Sequence, residues 1–299
     1  MPSKDHLASD GGRQPEVPKI IWSFWEGGFA EAPPLVQLCV ATWSKHSGID
    51  DIRLLDMDSI FQYLKPRDLP KTFKSLPVQM KSDAIRLAVL ARHGGVWLDA
   101  STLVTAPVVQ FVKDAVRDAG LFLFQNGKNG KGGRWFEIGV LAATPRNPFV
   151  SRWSASFNGF FSRERIHAAH SPSGPAPRLV KIMFGLLNRV LRKSPRRSAL
   201  WVRFPLRSLP FYPYFVTYYL ANRLLMARIF SRTLSQMKFE PVSDYLWFRN
   251  ELNHGRGVAA AGQLRELGRV FSDLEFRIDL PDKDLQSLYA QVGLSRAEM

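Results

Sequence analysis

The stretch 82–102, SDAIRLAVLARHGGVWLDAST, carries two carboxylates and a guanidinium at Asp83, Arg86 and Asp99. Asp83 and Arg86 are three residues apart, so on a helix they share a face. The apolar residues Ile85 and Leu87 to Ala91 continue a helical pattern, and Gly94-Gly95 stops it. Val96-Trp97-Leu98 then reads as a short buried strand that Asp99 ends. In open α/β sheets a strand's carboxyl end is where ligands bind. A lone acid there suits a divalent metal or the phosphates a metal carries. A helix starting at Ser82 or Asp83 puts Asp83 and Arg86 in its first turn, near the positive dipole end. Together the three groups offer what a nucleoside diphosphate needs: acceptors for ribose hydroxyls, a cation for phosphate and a carboxylate for a metal. The plainer alternative is an Asp83–Arg86 salt bridge with Asp99 capping a strand.

The rest of the chain supplies the elements that would hold these groups. Residues 17–24 (VPKIIWSF) read as a first strand, ended by the glycine turn Trp25-Glu26-Gly27-Gly28. Pro33-Pro34 opens a helical pattern over 35–43, which places the lone Cys39 in the core. Residues 52–55 are a candidate strand, and 58–64 a short helix with Asp58 as N-cap. Further on come an amphipathic helix over 108–119, strands over 121–124 and 135–143, and a helix over 149–161. Strands alternating with helices over 17–160 predict an α/β fold, a mostly parallel sheet flanked by helices. Beyond them, 170–177 (HSPSGPAP) reads as a boundary loop. A basic apolar helix follows over 179–191, then a proline-broken aromatic stretch over 206–219, a helix over 222–237 and a final helix over 281–288.

Three blocks, IIWSFWEGG, SDAIRLAVLARHGGVWLDAS and WFEIGVLAATPRNPF, in this order and spacing resemble the bacterial capsular polysaccharide synthesis family. That family is similar to the DXD-containing sugar transferases of the yeast mannosyltransferase and large clostridial toxin type. The resemblance covers roughly residues 17–150, and the middle block is the specific one. It implies a GT-A fold, Rossmann-type, and transfer of a sugar from a nucleotide-sugar donor with a divalent metal, Mn2+ or Mg2+, and retention of configuration. Carried over by position, Asp83 and Arg86 match an Asp-x-x-Arg helix that holds the donor's ribose and nearby groups. Asp99 matches the first DXD acid and metal ligand, and Trp25 an aromatic that stacks on the nucleobase, with Trp22 as the alternative. The second DXD acid would fall at Ser101, where the capsular subfamily usually carries Ser or Thr. A hydroxyl is a poorer ligand for a hard cation, so Asp99 and the diphosphate would carry most of the coordination. Asp244, Asp273 and Glu275 are candidate further acids.

Other residues keep two readings. Gly94 and Gly95 allow close approach of the donor or make a turn at positive φ. His93 is a base or a structural helix-end residue. Glu137, an acid within an apolar strand, is a catalytic or acceptor-binding group or a structural one. Residues 125–133 are a loop over the site or a surface hairpin.

The chain's formal charge of +15 is concentrated. Residues 165–239 contain no Asp or Glu but fourteen Lys and Arg. With Trp201, Phe204, Phe211, Tyr212, Tyr214, Phe215, Tyr218 and Tyr219 in the same stretch, this composition suits the headgroup level of an anionic membrane. Acidic glycans or acceptor phosphates are another target, and a core helix with a solvated flank is the plain alternative. A single cysteine excludes an intramolecular disulfide framework and a Cys-rich zinc site. No apolar run reaches the ~18 residues a transmembrane helix needs, and the first fifteen residues lack a signal-peptide core.

The expected layout is a flexible tail over 1–16 and a nucleotide-sugar-binding core over 17–160. A basic aromatic helical region over 161–240 and an acceptor-side part over 241–299 complete it. The expected function is a glycosyltransferase acting on a glycan or lipid-linked acceptor in cell-surface or capsular polysaccharide synthesis. It would be cytoplasmic and peripheral on the inner membrane's cytoplasmic face, with no nucleic-acid partner. The alternatives are a basic nucleic-acid-binding protein, suggested by the pI, and a catalytically idle nucleotide-sugar or membrane-binding scaffold, suggested by Ser101.

Overall fold

The computed structural model describes residues 16–116, 119–126, 133–167, 178–227, 230, 239–241, 245–246, 263, 270–273 and 282–295. The expected boundary loop at 170–177, most of the 125–133 loop, and Asp244 and Glu275 lie outside them.

A six-stranded sheet forms the centre. Its strands are β1 (Ile20–Phe24), β2 (Asp51–Leu55), β3 (Gly95–Leu98), β5 (Leu121–Gln125), β6 (Phe136–Ala143) and β9 (Phe239–Pro241), in the order β2-β1-β3-β6-β5-β9. β1 pairs parallel with β2 and β3, and β5 pairs parallel with β9; β6 runs antiparallel to both β3 and β5. Five strands therefore share one direction and β6 opposes them, so the mostly parallel sheet is present. β4 (Thr102–Val104), a strand the sequence pattern hid, pairs antiparallel with β10 (Phe271–Asp273). β7 (Ile166–His167) pairs with β8 (Phe211–Tyr212).

Both sheet faces are buried, which explains why β3, β5 and β6 read as continuous apolar runs. Alternate residues serve opposite faces. Trp22, Trp97, Leu123 and Leu141 pack with helices α3 (Val78–His93), α5 (Pro148–Phe160) and α8 (Val216–Leu225). Ile21, Val96, Phe122 and Val140 pack with α1 (Pro34–His46), α4 (Val108–Ala115) and α9 (Asp282–Gln291). Cys39 is fully buried in this second cluster. The remaining helices are α2 (Ile60–Tyr63), α6 (Arg178–Leu191) and α7 (Pro195–Ser198).

The structure corrects several sequence expectations. α3 starts at Val78 behind Pro77, four residues before Ser82. Asp83 and Arg86 therefore sit beyond its first turn, and the dipole argument for them does not apply. The short helix α2 is organised by Asp56, not Asp58: its Oδ1 accepts from the Asp58 and Ser59 amides and the Ser59 hydroxyl. Of the helix expected over 222–237, the described residues show α8, which runs Val216–Leu225; residues 228–229 and 231–237 lie outside the described residues. α8 begins inside the aromatic stretch because Pro213 lies just before it and no proline interrupts it. Trp201, Tyr212 and Tyr219 are core residues, at 2%, 0% and 0% exposure, so they are unavailable to a membrane.

Candidate active site

The carboxyl ends of β1 and β3 open on the same edge of the sheet, and α3, whose chain direction opposes theirs, brings its early turns to that edge. A cavity of about 450 Å³ lies there, lined by Trp25 and Glu26 after β1, Asp83 and Arg86 on α3, and Asp99 and Ser101 after β3. Tyr214 and Tyr218 close it from the α8 side.

Arg86 is the centre of the charge arrangement. It donates from Nη1 to Asp83 Oδ1 at 3.0 Å and from Nη2 to Asp99 Oδ1. Its guanidinium also lies 5.1 Å from the Trp97 ring centre, and Trp97 Nε1 donates to Asp99 Oδ1 at 2.8 Å. Burial opposes the Arg86 charge, but Asp99 and Asp83 outweigh that and hold its pKa above the ordinary guanidinium value. Asp83 has the opposite problem. Burial pushes its pKa up to about 6, although Arg86 and a 2.5 Å hydrogen bond from Thr217 Oγ1 pull it down.

Asp99 itself is positioned by a sheet irregularity. The β5–β6 register shifts between Leu123 and Phe124, so β6 carries extra residues around Gly139. Bulges of this kind re-aim groups beside functional sites. Gly139 O accepts from the Asp99 amide at 2.7 Å. A Cβ on Gly139 would lie 2.4 Å from the Tyr245 hydroxyl and 3.2 Å from Asp99 Oδ2. Tyr245 also bonds Thr102 Oγ1 at 3.0 Å and stacks on Phe124 at 5.2 Å.

Asp83, Arg86, Asp99, Trp25 and Ser101 are thus brought together. The remaining candidates are not. Trp22 is fully buried and donates to Gly94 O at 2.9 Å, so Trp25 is the tryptophan available to a ligand. Gly94 and Gly95 stand at the start of β3, away from the cavity. Their φ values are +66° and +102°, and a Cβ would come within 2.9 Å of backbone atoms at both. These glycines are explained by the turn and by close packing, not by donor contact. His93 bonds Tyr63 O at 2.9 Å and packs against Trp22, the structural reading. Glu137 does not line the cavity. It pairs with Arg134 at 2.5 Å and accepts from the Tyr218 hydroxyl at 3.1 Å, one layer behind the wall.

Four contributors escaped sequence reasoning: Thr217, Tyr218, Tyr214 and Tyr245. Three of them carried a usable signal. Thr217 and Tyr218 lie in the first turn of α8 and Tyr214 two residues before it, a cluster that a membrane reading of the aromatics obscured. Tyr245 carried none.

A divalent cation can be tested against these groups. Among the described residues no cluster of three His, Cys, Asp or Glu is present. Among the described residues Asp99 Oδ2 makes no hydrogen bond, and Ser101 lies two residues on. Asp273, a candidate further acid, has its backbone opposite Thr102 in the β4–β10 pair. Glu26 is paired with Lys81 at 2.6 Å. Counting Glu26, Asp83 and Asp99 against Lys81 and Arg86 leaves one negative charge, so an anionic ligand such as a diphosphate would need a counter-cation here. The set fits a cation that arrives with the phosphates, and is too sparse to cage one alone.

A family model described as capsular polysaccharide synthesis protein matches residues 5–169. The O-glycosyltransferase braB of Annulohypoxylon truncatum is 27% identical over 158 residues, 46% of this chain and 37% of that protein. The glycosyltransferase afumC of Aspergillus fumigatus is 28% identical over 110 residues, 33% of this chain and 28% of that protein. The chain therefore spans about a third of the length of these relatives. Among solved structures, PaToxG glycosyltransferase covers 93% of this chain and 86% of its own at 14% identity, with a TM-score of 0.38. Apo GlyE from Streptococcus pneumoniae covers 93% of this chain and 61% of its own at 10% identity, with a TM-score of 0.41.

Proposed function

The chain belongs to the capsular polysaccharide synthesis protein family, and from that premise we propose that it is a glycosyltransferase of GT-A type. It would move a sugar from a nucleotide-sugar donor to a glycan or lipid-linked acceptor, with retention of configuration. The observation that carries this reading is Arg86 bridging Asp83 and Asp99 in a cavity at the carboxyl edge of a mostly parallel sheet.

In this reading Trp25, half-buried on the rim, stacks on the base. Asp83 accepts a ribose hydroxyl with a remaining lone pair, since a carboxylate has about four acceptor sites and Arg86 and Thr217 take two. Arg86 fixes both carboxylates, so neither has to reorganise during the reaction. Asp99 Oδ2 and Ser101 face the diphosphate and would hold Mn2+ or Mg2+ together with it, which would supply Lewis-acid withdrawal of charge from the leaving group. The bond from the sugar's anomeric carbon to the diphosphate oxygen breaks, and its electron pair leaves with the diphosphate. An acceptor hydroxyl attacks that carbon from the same face and gives up its proton to the departing diphosphate oxygen. Asp83 and Asp99 are both tied to Arg86, which favours same-face attack over a carboxylate nucleophile.

The test is a thermal-shift screen of nucleotide sugars with and without Mn2+, followed by turnover of the donor that binds. Binding to the folded state alone raises Tm by mass action. Donor with Mn2+ is expected to stabilise the protein, and Mn2+ alone is not. Asp99→Asn should lower turnover by roughly 100-fold or more, the scale of losing one electrostatic transition-state contact, with an unchanged circular dichroism spectrum. Turnover that survives Asp99→Asn would sink the proposal. Ser101 supports a second reading, a donor-binding scaffold, which predicts stabilisation by donor with neither transfer nor hydrolysis under any metal.

A further inference from the structure

The amphipathic logic of α6 is inverted on one side. Leu191 is buried, and Phe184 and Leu187 pack toward the core, Phe184 with its ring 4.9 Å from Trp201. Yet Ile182, Met183, Leu186 and Val190 are each half exposed or more, at 50–59%. Positions i, i+1, i+4 and i+8 fall on one face, so α6 presents a continuous apolar stripe with nothing described against it. The turn against which it packs leads to Phe204, which is 85% exposed and the most exposed large apolar side chain described. Single exposed apolar residues need no explanation, but a stripe of four does.

Cations border this apolar surface. Arg189, Arg192, Lys193, Arg196, Arg197 and Arg203 are all exposed. No acid occurs anywhere in 165–239, and none of the six forms an ion pair among the described residues. Farther along, burial and the charges of Arg163 and Arg207 lower Arg165, and burial with Arg207 and Arg203 lowers Arg223. This layer of the protein is short of negative charge.

We propose that the α6 stripe and Phe204, bordered by these arginines and lysines, form a docking surface for an anionic lipid bilayer. The apolar side chains enter the headgroup–acyl boundary and the cations meet lipid phosphates, as interfacial helices do. Charge decides the occupant. A second copy of the chain would set the same cations against themselves. A nucleic acid would satisfy the cations but leave the four apolar side chains in water. Among the described residues no helix is long and apolar enough to span a membrane, so contact is with the surface. The surface shares no residue with the donor cavity, and binding can be read without donor, so it stands or falls apart from the proposed transfer reaction.

The experiment is co-sedimentation of the full chain with phosphatidylcholine vesicles, alone or mixed in equal parts with phosphatidylglycerol, at low and high salt. Binding is expected only to the anionic vesicles, and should weaken as salt rises. Arg196→Gln with Arg197→Gln should weaken it by roughly fivefold per charge at low salt. Met183→Ser with Leu186→Ser, both exposed, should also weaken it and leave melting temperature and donor binding unchanged. Equal binding to neutral and anionic vesicles, or no loss in either variant, overturns the proposal. So does duplex DNA binding that falls in the arginine variant alone, with no vesicle binding, or self-association in sedimentation velocity that Met183→Ser/Leu186→Ser abolishes, with no vesicle binding.

Discussion

Asp83 is the residue whose chemistry depends most on its surroundings. It is harder to ionise in the fold, at about 6, than at the ordinary value of 3.8. Between those two pH values the folded protein keeps a proton that the unfolded chain has lost, so this group's contribution to stability falls as pH rises through the window. Thermal melts of the wild type and Asp83→Asn should therefore diverge: the wild type loses stability relative to the variant from pH about 4 to about 6, and the gap then stays level. A gap independent of pH across that window would remove the assigned shift. The same proton matters to the proposed donor contact, because a ribose hydroxyl donates better to the ionised form. The identities of Asp83, Arg86 and Asp99 as one site were legible in the sequence, since spacing and a glycine turn brought them together. The hydrogen bond from Thr217 was not, because it joins residues separated by 134 positions and no local pattern reports such a contact.

At the scale of elements, the β6 bulge does the positioning that the strand ending at Asp99 was expected to do alone. Gly139 gives room for the Tyr245 hydroxyl and Asp99 together. Gly139→Ala should cost about 1–3 kcal/mol, the range for overpacking a filled site, read as a drop in the denaturant midpoint. In a Tyr245→Phe background the nearest clashing atom is gone, so the same substitution should cost measurably less. Equal costs in the two backgrounds would break the link between the bulge and Tyr245. Sequence reading found β1, β3, β5, β6, α1, α5 and α6 because their apolar patterns are long or bounded by glycine and proline. It missed β4, whose three residues are too few to show a period. It also gave α3 a late start, because Val78 to Lys81 carry no capping residue and their mixed pattern looks like a loop after three prolines. The antiparallel direction of β6 has no local signature; only pairing with β3 on one side and β5 on the other reveals it.

On the scale of the molecule, the family model ends at residue 169 while the core and the site do not. Val216, Tyr219, Leu220 and Leu225 of α8 belong to the same hydrophobic cluster as α3 and α5, and β9 adds an edge to the central sheet. A chain cut after residue 169 should therefore lose cooperative melting in calorimetry and bind a hydrophobic dye at neutral pH. A sharp transition in that fragment would show that the first half folds alone. The basic segment was legible in composition, but which of its aromatics face water was not: Trp201 and Tyr219 are buried and Phe204 is not. Thr217 touches Asp83 and Tyr245 touches Thr102 from beyond the matched region, so part of what holds the cavity's residues in place comes from outside it. Grafting a different second half onto residues 16–169 would replace these contacts as a unit. Such a graft keeps the pocket intact only if it again places a hydroxyl against Asp83 and a flat ring beside Gly139.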